Sequence, residues 1–244
     1  LVHGDAYDVA PNFDGTSDYY SKSTSGTTFE SGTTQGTIFG WVKLYSDKSN
    51  NSLLNVSDTA VTNKYFYLHV SSGAKLILGI FDGTNEYKIE ETTGSIKGGS
   101  GWHSFAATMD GTNHYTLYVD GVEPATSIAD SYDGTNGKWF NDLSGYDNVV
   151  IGAMIRSSTT HYLDGDVSQM AVFGGTSGTT GVLTAAQIKV LHDLGPNGNL
   201  NSATGVYTST EIGALKAYWG PFSLQTQGAS STTTWFDQSA ASTH

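Results

Sequence analysis

Short apolar and β-branched runs alternate along this chain with turns rich in Gly, Asp, Asn and Thr. Residues 38–45 read I-F-G-W-V-K-L-Y, an aromatic and β-branched run that predicts a strand. Residues 65–70, 75–81, 86–90 and 102–109 predict four more, followed by 115–119, 149–155 and 167–173. In the segment 115–119, Tyr115, Leu117 and Val119 alternate with Thr116 and Tyr118, the two-residue period of a half-buried strand. Asp-Gly-Thr recurs at Asp14, Asp82, Asp110 and Asp133, and Asp120-Gly121 and Asp164-Gly165 add two more Asp-Gly pairs. Gly supplies the positive φ of a tight turn and Asp hydrogen-bonds the backbone beside it, so the pattern predicts antiparallel hairpins. The turns are unevenly spaced, which argues against a solenoid or propeller.

One helix is well signalled. Thr184 and Gln187 form a capping box ahead of an apolar stripe at Ala185, Ile188, Leu191 and Leu194, and Gly195-Pro196 ends it. Thr208 and Glu211 offer a second box before Ile212, Leu215 and Trp219, although Gly213 weakens that helix. From residue 196 Asn, Gly, Ser, Thr and Gln dominate. The expected organisation is one sandwich domain over 1–195 and an appended helix and extended polar arm over 196–244. The expected fold class is all-β, a two-sheet antiparallel jelly-roll sandwich with one or two short helices near the C-terminus.

Length and composition narrow the function. The 244 residues fit one large all-β domain, and 14% charged with 12% aromatic residues describes a folded chain. The net charge of −12, with only 11 scattered basic residues, disfavours nucleic acid and anionic membrane as partners. No Cys is present, so disulfides, thiolate metal sites and Cys nucleophiles are excluded. No apolar run approaches the ~20 residues of a membrane helix. The chain opens Leu1-Val2-His3-Gly4 without Met or a signal-peptide pattern, so it is either processed or numbered from inside a longer polypeptide.

Residues 102–111, W-H-S-F-A-A-T-M-D-G, lead to Leu117-Tyr118-Val119-Asp120-Gly121. This pair of motifs resembles the laminin G-like and pentraxin-like branch of the concanavalin A-like superfamily. Phe13-Asp14-Gly15 is similar to that family's opening strand, and residues 38–42 to its F-x-x-W-V strand. Leu163-Asp164-Gly165-Asp166-Val167, Val172-Phe173 and residues 183–191 are similar to its closing strand and helix. The resemblance covers roughly residues 12–195 and implies two packed antiparallel sheets. Similar domains occur in phage and viral structural proteins and on bacterial surfaces. There a segment like 214–219 follows the closing helix, and residues 235–239, W-F-D-Q-S, look like a lead into a further domain.

Glucanases of this superfamily carry E-x-D-x-x-E on one strand, and none of the six Glu here sits in that pattern. Glu90 and Glu91 are adjacent and would face opposite sides of a strand. Neither G-x-S-x-G nor H-E-x-x-H occurs, and the seven His lack helical ligand spacing. The resemblance also brings calcium into view. The place matching the pentraxin metal site, residues 151–156, has no carboxylate and carries Arg156. Asp110 with Asn113, or Asp133 with Asn136, could supply oxygen ligands, but turn chemistry accounts for them more simply. Asp164 and Asp166 read as structural. The sequons at Asn50 and Asn55 carry meaning only in a eukaryotic secretory setting.

For carbohydrate, the expected surface is the polar loop holding Tyr132, Asn136, Trp139 and Tyr146, since loop aromatics can stack on sugar rings. Trp139 or Phe140 would equally serve to close the end of the sandwich. Trp41 and Trp102 read as core. The sequence therefore points to a non-catalytic module, extracellular or on a virion surface, such as a phage capsid decoration or fibre component. It would bind glycans or adhere to a capsid or surface scaffold, needing no cofactor, with calcium and homo-oligomerisation left open. The alternative is a purely structural assembly protein anchored through its C-terminal arm.

Overall fold

The computed structural model describes residues 10–23, 33–198, 200 and 214–219, and the backbone of 224–226 and 233–235. In chain order the strands are β1 (Asn12–Asp14), β2 (Tyr20–Ser23), β3 (Gln35–Leu44), β4 (Asn50–Ser57), β5 (Lys64–Ser71) and β6 (Leu76–Asp82). Then come β7 (Glu86–Glu91), β8 (His103–Met109), β9 (Tyr115–Val119), β10 (Thr126–Asp130) and β11 (Asn148–Ile151). The series closes with β12 (Met154–Ile155), β13 (Thr159–Thr160), β14 (Asp164–Gly175), β15 (Leu215–Trp219), β16 (Leu224–Thr226) and β17 (Thr233–Trp235). Among the described residues, the α-helix α1 (Ala185–Asp193) lies between β14 and β15.

All pairings are antiparallel. The first sheet runs β1-β14-β3-β8-β9, and β15 joins β14 at Met170 to Phe173, along the edge that β1 begins. The second sheet runs β10-β7-β6-β5-β4-β11-β2. Their facing sides form the main core, with Phe13, Ile38, Phe66, Leu68, Phe105 and Leu117 fully enclosed. This is the two-sheet antiparallel sandwich expected from the pattern of the chain.

The motifs that carried the resemblance are joints in this frame. Phe13 lies opposite Gly165, which seats β1 on β14. Asp166 accepts from Tyr45 Oη at 2.7 Å and Asn12 Nδ2 at 2.8 Å, with Lys43 Nζ at 3.6 Å. His103 Nδ1 lies 2.8 Å from Asp120 Oδ2, and the same carboxylate accepts from the Ser104 N–H at 3.1 Å. The W-H strand is thereby tied to the D-G turn.

The outer side of the first sheet is also apolar. Phe39, Trp41, Ala106, Tyr118, Ala171 and Phe173 form a second cluster there, covered by Ile188 and Leu191 of α1. The capping box forms: the Gln187 N–H donates to Thr184 Oγ1 at 3.3 Å, and the Thr184 N–H donates to Gln187 Oε1 at 2.8 Å. Ala185 is exposed, so the stripe is narrower than predicted. His192 docks the helix, its ring stacked 5.2 Å from Trp41 and its Nδ1 2.9 Å from Ser104 Oγ.

Four features depart from the expectations. Strand β4, N-N-S-L-L-N-V-S, hides its polar positions under another segment and so lacks an alternating signature. Strands β2 and β10 run along sheet edges, largely exposed, with no apolar face to read. The run 149–155 is two elements, because Gly152 at φ +88° turns the chain out of the sheet. A Cβ there would stand 2.3 Å from the Phe13 ring. Residues 215–219, expected as helix, form strand β15, since the open edge of β14 supplies ladder partners that a helix would forgo. The second capping box, Thr208 and Glu211, lies outside the described residues.

The arm predicted from residue 196 therefore begins later. Leu200, Ala217 and Tyr218 are buried in the sandwich, whereas β16 and β17 pair with each other and with neither sheet. Truncation after Gly195 is expected to lower the thermal midpoint markedly, because it uncovers Phe173 and the β14 edge. Truncation after Gly220 is expected to leave the midpoint within a few degrees of the full chain; scanning calorimetry of the two forms checks this.

Candidate functional site

The loop expected to stack on sugars is mostly core. Trp139 is 0% and Tyr132 4% exposed. Trp139 packs edge-on against Phe66 at 5.7 Å and against Phe140 at 4.8 Å, so it closes the end of the sandwich. Tyr132 packs on Tyr115 at 4.6 Å, and its hydroxyl accepts from the Tyr115 N–H at 2.9 Å. Neither ring presents a free face. Asn136 closes its own turn, accepting from the Asp133 N–H at 3.0 Å and donating to the Ser131 carbonyl at 2.9 Å. Tyr146 is partly buried against the core. The four residues do not assemble a platform.

The Asp-Gly-Thr turns are likewise self-contained. The Thr16, Thr84, Thr112 and Thr135 N–H groups donate to Asp14, Asp82, Asp110 and Asp133 Oδ1 at 2.7, 2.9, 2.8 and 2.9 Å. Side-chain and backbone donors at Thr16 hold Asp14 well below the usual carboxylate range, and Thr135 does the same for Asp133. At Asp110 the desolvation that would raise its pKa is outweighed by donors at His114 and Thr112. These carboxylates are committed to backbone, and among the described residues no group of three or more His, Asp or Glu could hold a metal ion. The turn hydrogen bonds account for Asp110 and Asp133 without a metal ion.

The open surface is the outer face of the second sheet. Period-two alternation sends Phe66, Leu68 and Val70 into the core and Tyr65, Tyr67 and His69 outward. The register sets Tyr65 opposite Phe81 and Phe81 opposite Glu86; one step along, Tyr67 faces Gly79, then Lys88. Gly79 is required here, since a Cβ would lie 2.2 Å from the Tyr67 ring. Over that gap the Tyr67 hydroxyl donates to Glu86 Oε1 at 2.6 Å. Tyr65 and Phe81 are both partly exposed, with ring centroids 5.9 Å apart.

The β12–β13 hairpin crosses one side of this face. Ser52 Oγ donates to the Ala153 carbonyl at 3.0 Å and Ser57 Oγ to the Ile155 carbonyl at 2.5 Å. Asn55 Oδ1 accepts from the Ile155 N–H at 3.1 Å, while its Nδ2 donates to the Phe66 carbonyl at 2.8 Å. Asn55 is thus buried and satisfied at both ends, closed to any modification. Met154 packs on Tyr67 and Ile77. Arg156 then lies with its guanidinium carbon 4.8 Å from the Tyr65 ring centroid. Beneath the hairpin His69 is buried, stacked on Tyr67 at 4.7 Å with its Nδ1 unpartnered, and His161 lies 6.1 Å away. Burial above all, with His161 and Lys88 nearby, pushes the His69 pKa down from 6.5 to about 3.

A second constellation has catalytic geometry but a structural role. Ser100 Oγ lies 2.7 Å from His103 Nε2, which continues through His103 Nδ1 to Asp120. The Ser100 hydroxyl donates to the Lys97 carbonyl, and Asp120 also caps the Ser104 N–H. The array ties the start of β8 to the turn at Lys97 and to Asp120. Glu90 and Glu91 do face opposite sides. Glu90 pairs with Lys75 at 3.4 Å, and buried Glu91 accepts from the Leu76 N–H and Ser95 Oγ, both at 2.7 Å.

Two packed antiparallel sheets, one sealed outside by a helix and the other bearing partly exposed aromatics beside charged groups, form a jelly-roll sandwich, an architecture shared by lectin and viral capsid domains. The chain belongs to the concanavalin A-like lectin/glucanases superfamily, whose laminin G-type profile matches residues 14–189. Among solved structures it is similar to the CBM40 domain of the Ruminococcus gnavus IT-sialidase bound to α2,3-sialyllactose. That match has a TM-score of 0.59 and 21% identity, over 76% of this chain and 99% of that one. A leech intramolecular trans-sialidase gives 0.51 and 20%, over 68% of this chain and 28% of that one. The heptameric SAP-like pentraxin of Limulus polyphemus gives 0.51 and 16%, over 78% and 85%. At these identities the likeness concerns the fold. No match is found among curated protein sequences.

Trp139→Ala is expected to cost about 3–5 kcal/mol of unfolding free energy, the range for a deleted core aromatic, as read from urea denaturation. The His69 shift has a definite sign. The unfolded chain takes up this proton near pH 6.5 and the folded chain only near pH 3. Stability should therefore fall as pH drops through that window, by about 1.4 kcal/mol per pH unit from this residue. His69→Phe keeps the ring stack and is expected to remove that component of the slope in denaturation curves taken from pH 7 to 4.

Proposed function

We propose that this chain is a non-catalytic carbohydrate-binding module that holds a glycan on the outer face of its second sheet, at Tyr65, Phe81, Glu86 and Arg156. The observation that carries this reading is the partly exposed Tyr65–Phe81 pair standing beside hydrogen-bonding and charged groups on the part of the sheet face that the β12–β13 hairpin leaves open. Aromatic faces receive the C–H side of a sugar ring, while Glu and Arg serve its polar groups. The domain's setting in this proposal is outside a cell or on a virion, as a phage capsid decoration or fibre component, and binding needs no calcium.

Glycoside cleavage would need two carboxylates flanking one bond, either close together or with room for a water between them. On the proposed face Glu86 receives the Tyr67 hydroxyl and Glu90 is paired with Lys75, an arrangement that favours binding over cleavage. A second reading, assembly onto a scaffold protein through the C-terminal arm, is favoured by the β16–β17 pair, which joins neither sheet.

Glycan-microarray binding by the full chain is the test. Tyr65→Ala and Phe81→Ala should each weaken a positive signal about tenfold or more, with the thermal midpoint nearly unchanged and EDTA without effect. Flat arrays at high protein concentration, or binding indifferent to both substitutions, would reject this site.

A further inference from the structure

Arg156 is the only arginine in the chain. It sits at the turn of the hairpin that borders the proposed glycan face, and its contacts differ from those of the five lysines that are paired with acids. Lys43, Lys75, Lys88, Lys138 and Lys189 each lie within 4.0 Å of a carboxylate. Arg156, in a chain with 23 acidic against 11 basic residues, pairs with no carboxylate among the described residues. Its fixed contacts are the Thr62 carbonyl, to which Nη1 donates at 3.2 Å, and the Tyr65 side chain beneath it. A guanidinium has five donors in a planar fork, so most of them remain for another group.

The neighbouring charges sharpen the point. Glu90 is matched by Lys75, and Asp130 by Lys88 at 3.1 Å. Glu86 takes the Tyr67 hydroxyl and keeps acceptor capacity for a sugar hydroxyl. Arg156 is the cation left over on this face. Its fork matches a carboxylate with two parallel hydrogen bonds, which an ammonium cannot do. The ring below it and the Thr62 carbonyl beside it hold that fork in place before a ligand arrives.

We propose that the glycan bound here is an acidic one, a sugar bearing a carboxylate such as a sialic or uronic acid, and that Arg156 receives the carboxylate. This rests on the glycan-binding reading above and adds the ligand's charge and its receptor. The ring face of the acidic sugar lies on Phe81, beside the Tyr65 ring that carries Arg156, and its hydroxyls turn toward Glu86.

The test uses the full chain and matched ligand pairs: sialyllactose against lactose, oligogalacturonate against its methyl ester, and 3′-sulfolactose as a non-carboxylate anion. Titration calorimetry should give the acidic member of at least one pair about tenfold or more tighter binding, the contribution of a charge-assisted pair. That preference should shrink as ionic strength rises. Arg156→Gln should collapse the preference, and Arg156→Lys should restore only part of it. A far-ultraviolet spectrum and thermal midpoint unchanged in both variants would exclude a disturbed hairpin. Equal binding of acidic and neutral members, or a preference that survives Arg156→Gln, overturns this inference and leaves glycan binding standing. Sulfolactose binding as well as sialyllactose would overturn the carboxylate assignment. Failure of every glycan to bind removes both proposals.

Discussion

Every strand of a sandwich has two sides, and the rest of this structure depends on how the two outward sides are covered. The first sheet is apolar on both, with Ile38 and Val42 inward and Phe39 and Trp41 outward from the same strand. An exposed row of that kind would forfeit roughly 1.5–3 kcal/mol per large side chain. Helix α1 and Tyr218 of β15 cover it, which ties the C-terminal part of the chain to the fold. The second sheet is only partly apolar outward: Tyr67, Ile77 and His69 are covered there by the β12–β13 hairpin, while Tyr65, Phe81, Glu86 and Lys88 keep partial exposure. That remaining part of the face is where the proposed function lies.

The hairpin over β4 adds a second constraint. Ser52, Asn55 and Ser57 are buried polar residues whose partners are backbone groups of the hairpin or of β5. Each such bond stabilises by only about 0.5–1.5 kcal/mol when made, but a buried group left unpaired costs about 1–3 kcal/mol. The hairpin is therefore held at one register, and Arg156 at one place over Tyr65. A strand without an alternating signature turns out to be the device that positions the only guanidinium.

This explains what the sequence made legible. Strand β9 was readable to the residue, because Tyr115, Leu117 and Val119 pack inward while Thr116 and Tyr118 do not. The α1 cap was readable because Thr184 and Gln187 satisfy each other locally. The candidate face was not, although Tyr65, Tyr67 and His69 recur every second residue. Phe66, Leu68 and Val70 alternate with them, and nothing local says which row faces the core. That choice is made by the partner sheet, and Arg156 arrives from a hairpin far along the chain. Trp139 stood between two readings for the converse reason: Gly, Asn and Lys surround it as in a surface loop, and the reading in which it closes the end of the sandwich beside Phe66 is the one the fold takes. In the same way residues 215–219 have helix formers but find an unpaired strand edge, and the ladder decides.

His69 links the hairpin to the open face. Its ring lies between Tyr67 and His161 under the hairpin, where a charge would be desolvated and set near Lys88. Kept neutral, it acts as a flat, moderately polar surface on which Tyr67 stacks. Tyr67 in turn fixes Glu86 through its hydroxyl, and burial together with that bond raises the phenol's pKa, so it remains a donor. The row His69, Tyr67, Glu86 is thus a packed and hydrogen-bonded support beside Arg156. Preorganisation of this kind lowers the ordering cost that ligand binding would otherwise incur, with the acceptor Glu86 next to Phe81 and the cation Arg156 over Tyr65.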